Sequence, residues 1–367
     1  MNILNYLEKN NSDDHELFFI CGSEEHRLLE SKFPGRVSSY KPRSPRPLIR
    51  GFQYFKSFSQ LFFSRKLITV EKIQNWNIFS TVEDLSLDLI WSIEPLGFTF
   101  DTPYITTVWD LEHRKKPYFP EVSLDGEWER RESRYSKVLG KATFIVTGTN
   151  VGKEEIQHFY RINSERIIVA PFPMHSNANA NSIARDINVI FYPAQFWPHK
   201  NHANLVEAFN LATAIEPDLK LLLVGSDRGN QKEIRNLVTK LGLKSNIEFL
   251  GTISDLELQS LYQVASLMIF PSFFGPDNLP PLEAISFKCP VAAADQPGSR
   301  EQFKNGIPLF DPTNVIEMSE IILNRRNLEI SNDYRERMLN FTNIESFFGV
   351  LEEYLSQYAR IAKNFKG

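Results

Sequence analysis

From Ile187 to Phe310, apolar runs too short to be buried helices alternate with amphipathic stretches of helical length. INVIFYP, LKLLLVG, IEFLG, SLMIFPS, CPVAAAD and IPLF read as strands. His202–Ala214, Asn230–Leu241, Leu256–Ala265 and Pro281–Phe287 read as the helices between them. That alternation restricts the chain to an α/β fold, because parallel strands need helical crossovers and both faces of the sheet must be covered. The same rhythm runs less regularly upstream. Strands are expected near His15–Cys21, Leu87–Ile93, Pro103–Val108, Ala142–Thr147 and Arg166–Ala170, and helices at Met1–Lys9, Phe52–Phe63, Gly126–Leu139 and Gly152–Tyr160.

Between the two series lies HSNANANSIARD, polar and without periodicity, which reads as a linker. The expected organisation is a first domain over 1–174, a linker at 175–186, a second domain over 187–346, and a closing amphipathic helix over 347–367 that packs back on the first. A chain of 367 residues is long enough for two cores. In the first domain the strand and glycine-rich loop that would open such a unit are not seen, and YKPRSPRP at Tyr40–Pro47 excludes regular structure.

The formal charge of -4 disfavours a nucleic-acid-coating protein. It averages over a segment without Asp or Glu, Ser31–Val70, where Lys32, Arg36, Lys41, Arg43, Arg46, Arg50, Lys56, Arg65 and Lys66 interleave with Phe52, Tyr54, Phe55, Phe58, Phe62 and Phe63. Such a surface suits an anionic bilayer or a lipid diphosphate; a solvated basic face beside core aromatics is the alternative. Cys21 and Cys289 fit a reducing compartment and make no zinc pattern. The opening MNILNYLEKNNSDDHELFF lacks the form of a signal peptide, and no apolar run has spanning length. The expected location is cytoplasmic, with any membrane contact peripheral.

Ligands of parallel sheets gather at the carboxyl ends of the strands. There, Lys200 stands beyond a strand and just before a helix, placed to neutralise a diphosphate. In PSFFGPDNLPPLEAISFKCPV, the N–H groups around Asn278 and Leu279 are candidates to cup phosphate or sugar oxygens, and Glu283, read as lying in the first helical turn, to accept ribose hydroxyls or simply to cap the helix. Gly225 and Gly251 end strands where a base or phosphate can approach the backbone. His113, after Asp110, is a candidate donor to a sugar hydroxyl, with a buried structural histidine as its rival. Arg131, Glu132 and Arg134 read as a salt-linked helix face. Neither GxGxxG nor GxxxxGK[ST] occurs, which removes the standard dinucleotide and P-loop sites.

In order along the chain, YPAQFWPHKNHANLVEAFNLA, LLLVG, NIEFLGTIS, PSFFGPDNLPPLEAISFKCPVAAAD, PGSREQ and PLFDP resemble the glycosyl transferases group 1 family, the family 4 glycosyltransferases of GT-B fold. The resemblance spans about Val189–Pro312 and extends weakly through VWDLEHRKKPYFPE and ATFIVTGTNVGKEEIQHFY. It implies two facing Rossmann-like domains and transfer of a sugar from a nucleotide diphosphate donor, GDP-mannose among the candidates, with retention and without an essential metal or resident cofactor. The acceptor it implies is a polysaccharide or lipid-linked glycan. By this resemblance Lys200 contacts the donor diphosphate, Glu283 the ribose, and His113 lies near the donor sugar. The family's arginine is replaced by Gln195, and its first motif glutamate by Gly275. The competing readings are a partner-dependent sugar-nucleotide-binding subunit and a nucleotide-sugar epimerase, the latter requiring acid-base groups that the sequence does not display.

Overall fold

A computed structural model describes residues 6–7, 9, 18–22, 26–40, 76–174 and 184–366. The expected Phe52–Phe63 helix, the basic stretch beyond Tyr40, most of Met1–Lys9 and linker residues 175–183 lie outside the described residues. The elements are β1 (Phe19–Gly22), α1 (His26–Lys32), β2 (Val37–Tyr40), α2 (Trp76–Asp84), β3 (Ile90–Trp91), β4 (Tyr104–Thr107), α3 (Glu112–Lys115), α4 (Glu127–Lys141), β5 (Phe144–Thr147), α5 (Asn150–Tyr160) and β6 (Ile167–Val169). They continue with β7 (Asp186–Pro193), α6 (His202–Thr213), β8 (Lys220–Val224), α7 (Gln231–Lys240), β9 (Ile247–Gly251), α8 (Asp255–Val264), β10 (Ala265–Phe270), α9 (Leu279–Ser286) and β11 (Val291–Ala294). The last are α10 (Pro297–Phe303), β12 (Leu309–Phe310), α11 (Val315–Leu323), α12 (Asn332–Phe341) and α13 (Ile344–Lys366).

The C-terminal sheet is six-stranded and parallel, in the order β12-β11-β10-β7-β8-β9. All six residues of β10 are buried, as an apolar run covered by helices on both faces must be. One core joins Ile190, Phe191, Leu221, Leu223, Leu267 and Ile269 of the sheet to Leu205, Phe209, Ile285 and Met318 of the helices. Because β7 is flanked by β8 on one side and β10 on the other, the strand order reverses there. The loops leaving β7 and β10 therefore diverge and open a crevice at their carboxyl ends.

The N-terminal region differs from the expectation of one continuous sheet. Four parallel strands run β3-β4-β5-β6, while β1 and β2 pair with each other as a separate parallel ribbon. The expected strand at Leu87–Ile93 shrinks to two residues, since Ser86 adopts φ 50° and Asp88 precedes it on an edge. As expected, the closing helix returns to this sheet. Phe347, Phe348 and Leu351 of α13 pack on Ile105, Val146 and Ile168, and Tyr358 donates to the Asp88 carbonyl at 3.2 Å. Cys289 is a free thiol, which burial pushes up to about 12.

Candidate active site where the two sheets meet

The C-terminal wall is built from the loops after β7 and β10. Pro198–Lys200 forms a single tight turn, and Asn201 follows with φ 60°. The Asn201 amide donates to the carbonyls of Pro271 and Pro312 at 3.0 and 2.8 Å, tying three strand-end loops together. The Phe273 N–H donates to the His199 carbonyl at 2.9 Å, which closes the β7 and β10 loops against each other. Lys200 is thereby fixed at the reversal point, its ammonium 5.3 Å from the centre of the Phe270 ring. No carboxylate lies within 4.0 Å of it among the described residues. Burial lowers its pKa to about 8, against the opposing pull of Asp110 and Glu121 across the junction.

The other expected donor-side residues are placed as follows. Gln195 is exposed, and its Oε1 accepts the Trp197 indole N–H at 3.0 Å. Gly225 has φ 150°, and a Cβ there would lie 2.2 Å from the Ala194 carbonyl oxygen. The residue is therefore held to glycine by the close passage of the β7 loop. Gly251 accepts the Gly225 N–H at 2.8 Å, has φ 68°, and faces open space.

Two expectations for the α9 loop need correction. The Asn278 N–H is not open to a ligand, because it donates to Gln302 Oε1 at 2.9 Å. Glu283 is the fifth residue of α9 rather than part of its first turn. The helix begins at Leu279, two residues earlier than the double proline suggested. The Glu283 Oε2 accepts the hydroxyl of Tyr262, which joins α8 to α9, at 2.8 Å.

The N-terminal wall is made of charged side chains around α3, beyond the end of β4. His113 has no exposed surface. Its Nε2 faces the Tyr160 hydroxyl at 3.3 Å and Glu132 at 3.4 Å, and its ring stacks near Tyr135. Burial and the Arg131 charge lower its pKa, and among the described residues its Nδ1 has no hydrogen-bond partner. His113 is thus buried in this arrangement, as Glu112 beside it is. Arg131 pairs with Glu127 and Asp110, and Glu132 binds Arg114, as the salt-linked reading of that helix anticipated.

Several residues that sequence reasoning passed over join the walls. The Glu121 carboxylate takes both the backbone N–H of His199, at 2.8 Å, and its Nδ1. The Lys116 ammonium donates to the Phe273 carbonyl and to Gln296 Oε1 at 3.0 Å. Glu112 Oε1 accepts the Gly275 N–H at 3.4 Å. Asp277 lies against Gly148 and is bonded by Gln302; burial raises its carboxyl to about 7. Glu301 receives the backbone N–H groups of Asn150 and Val151 at 2.7 and 2.8 Å, and the Asn150 amide at 2.9 Å. For Glu112 and Lys116 the signal was the run EHRKKP in the loop beyond β4, legible as a charged loop but not as an interface; Glu121, Asp277 and Glu301 lie outside it. A separate cavity of about 280 Å³, lined by Arg185, Ser266, Lys288 and Arg326, opens at the amino ends of β7 and β10 and contains none of the expected site residues.

Residues 175–340 match the profile of the family described as Glycosyl transferases group 1. The O-antigen chain mannosyltransferase RfbU of Salmonella typhimurium is 25% identical over 240 residues, covering 63% of this chain and 65% of that protein. The putative glycosyltransferase EpsD of Bacillus subtilis is 27% identical over 156 residues, 42% of this chain and 40% of its own. The chain thus matches less than two thirds of the length of either relative. HepE of Anabaena, solved with UDP and glucose, superimposes with a TM-score of 0.67 at 16% identity over 94% of this chain and all of that one. Sucrose-phosphate synthase of Thermosynechococcus elongatus does so with 0.64 at 17% identity, over 96% and 97%. The fold is GT-B.

Proposed function

We propose, from the group 1 glycosyltransferase domain at 175–340, that the chain transfers a sugar from a nucleotide diphosphate donor, with retention, to a polysaccharide or lipid-linked glycan. The carrying observation is Lys200: a cation held at the strand-order reversal with no carboxylate neutralising it at close range. A diphosphate supplies the missing counter-charge, and the amino end of α6, which has no side-chain cap, adds to the attraction. Glu283, steadied by Tyr262, receives the ribose, and the open backbone at Gly251 gives the base an approach. The walls touch at Glu121–His199 and Lys116–Phe273, so the donor enters when they part and is shielded from water when they return. Charge developing on the leaving diphosphate is met by Lys200, and that diphosphate assists deprotonation of the acceptor hydroxyl on the same face. The donor is a substrate; no metal or resident cofactor enters this reading.

The names of the relatives favour mannose, hence GDP-mannose as first donor, and O-antigen-type glycans as acceptors. No helix among the described residues is long and apolar enough to cross a membrane. The basic aromatic stretch outside them is the proposed contact with an anionic membrane at its cytoplasmic face. The test is calorimetric titration of the full chain with GDP, UDP, ADP and dTDP. Saturable binding of one nucleotide, weakened in Lys200→Ala and Glu283→Ala, supports the donor site. Folded protein that binds none of the four rejects it.

A further inference from the structure

We infer that Glu112 reads the transferred sugar, its Oε2 accepting a ring hydroxyl while the neighbouring Lys116 ammonium donates to the same ring. The inference rests on the proposed function and adds a residue from the opposite wall. Glu112 is 1% exposed, enclosed where α3 meets the loop after β10. Its Oε1 is occupied by the Gly275 N–H at 3.4 Å and lies 3.6 Å from the Lys115 ammonium. Among the described residues its Oε2 has no hydrogen-bond partner, and the Lys116 ammonium stands 4.0 Å from it. Burial drives the Glu112 carboxyl upward against the pull of Lys115 and Lys116, so an enclosed acceptor is maintained at a cost in free energy without the hydrogen bond that normally offsets it.

The chemistry selects the ligand class. A carboxylate only accepts hydrogen bonds and an ammonium only donates them, whereas a sugar hydroxyl does both. A pair of such groups about 4 Å apart therefore suits a hydroxyl or a vicinal diol, while a phosphate would be repelled by Glu112. Position points the same way. Lys200 is adjacent to His199, whose carbonyl holds the Phe273 N–H; the Phe273 carbonyl in turn holds Lys116, beside Glu112. A donor with its diphosphate on Lys200 directs its sugar along Phe273–Gly275 and against Glu112 when the walls close.

The experiment titrates the full chain with GDP, GDP-mannose, UDP and UDP-glucose, comparing wild type with Glu112→Gln, Glu112→Asp and Glu155→Gln. Glu155 accepts from the Lys115 ammonium at 2.6 Å, so Glu155→Gln loosens the same charge network without touching Oε2. In Glu112→Gln the nucleotide diphosphate should bind as well as before or better, because a negative charge is gone. The sugar nucleotide should lose about tenfold or more relative to it, the loss of a hydrogen bond to a charged acceptor. Glu112→Asp, with its oxygens withdrawn by one methylene, should shift the ratio in the same direction, and Glu155→Gln should leave it unchanged. An unaltered ratio in both Glu112 variants, an equal shift in Glu155→Gln, or a parallel fall of both affinities overturns the inference and leaves Glu112 a structural ion pair. If wild type binds ADP or dTDP instead, the same ratio is read with that nucleotide and its sugar derivative; if it binds no nucleotide diphosphate at all, the proposed function itself fails and this inference falls with it.

Discussion

The two walls that meet at the candidate site are built by different means. On the C-terminal wall, backbone holds backbone: Gly225 passes under Ala194, Gly298 sits where a Cβ would lie 2.3 Å from the Pro276 carbonyl oxygen, and Asn201 clamps two prolyl carbonyls. On the N-terminal wall, long charged side chains hold one another: Arg114 to Glu132, Lys115 to Glu155, and Arg131 to Asp110 and Glu127. A wall of backbone fixes the position of a ligand to a fraction of an ångström and leaves a mark in sequence as glycines, prolines and asparagines at set places. A wall of side chains can be rebuilt from other charges with the same result. The comparison predicts a rigid donor side and an adaptable facing side.

The sharpest way to break that comparison is Gly225→Ala. The added methyl meets the Ala194 carbonyl oxygen at 2.2 Å, and φ 150° is strained for any L side chain. The expected loss is about 3 kcal/mol, a large part of a typical stability. Gly251→Ala, at φ 68° in open space, should cost about 1 kcal/mol from backbone strain alone. Urea unfolding curves measure both. Equal costs would mean that the tight passage at Gly225 yields easily and that the wall is not rigid.

Next in size is the loss of Lys200. Removing this strand-end cation should weaken nucleotide diphosphate binding by about 2 kcal/mol, roughly thirtyfold in Kd. Arg114→Ala, deep in the side-chain wall, should leave that Kd within about twofold of wild type, because its charge is spent on Glu132. If both substitutions weaken binding alike, the division between a nucleotide wall and a facing wall is wrong.

Lys200 also gives a pH test. Its folded pKa of about 8 rises when a diphosphate supplies a counter-charge, so binding takes up a proton wherever the free lysine is neutral. Nucleotide affinity should be flat below about pH 8 and fall above it, by up to about tenfold per pH unit until the pKa of the bound lysine is reached. Titrations between pH 6.5 and 9.5 check this. A flat profile in that range would remove Lys200 from the diphosphate.

Legibility followed the same division. The strands β7 to β12, the place of Lys200 and the return of α13 were readable because buried parallel strands must be apolar and strand-end loops must turn. Glu283 was identified without its partner, since Tyr262 comes from another helix and no spacing in the sequence joins them. For His113 the sequence left two readings open, because a histidine after a strand end reads the same whether it faces a ligand or side chains such as Tyr160 and Glu132. Glu112, Lys116 and Glu121 carried no separate signal: their roles arise only when one sheet is brought against the other. A strand near β1 was expected, but not its pairing with β2 as a separate ribbon, since pairing between short strands is decided by packing rather than by pattern.

The smallest expected effect bears on how the two walls stay together. Glu301 on α10 lies at the amino end of α5, where Asn150 and Val151 donate their N–H groups to it at 2.7 and 2.8 Å. Thr149 caps the same helix only through Gly152, so the first two donors depend on a carboxylate from the other wall. Glu301→Gln keeps one acceptor oxygen but loses the charge that the helix end favours, an expected cost of about 1 kcal/mol to the joined arrangement. Amide exchange at Asn150 and Val151 should then quicken by roughly fivefold, while amides in β8 and β10 keep their protection. If the two amides exchange at the wild-type rate, this contact is not what keeps the walls together, and the adaptable wall must be held closed by Glu121 and Lys116 instead.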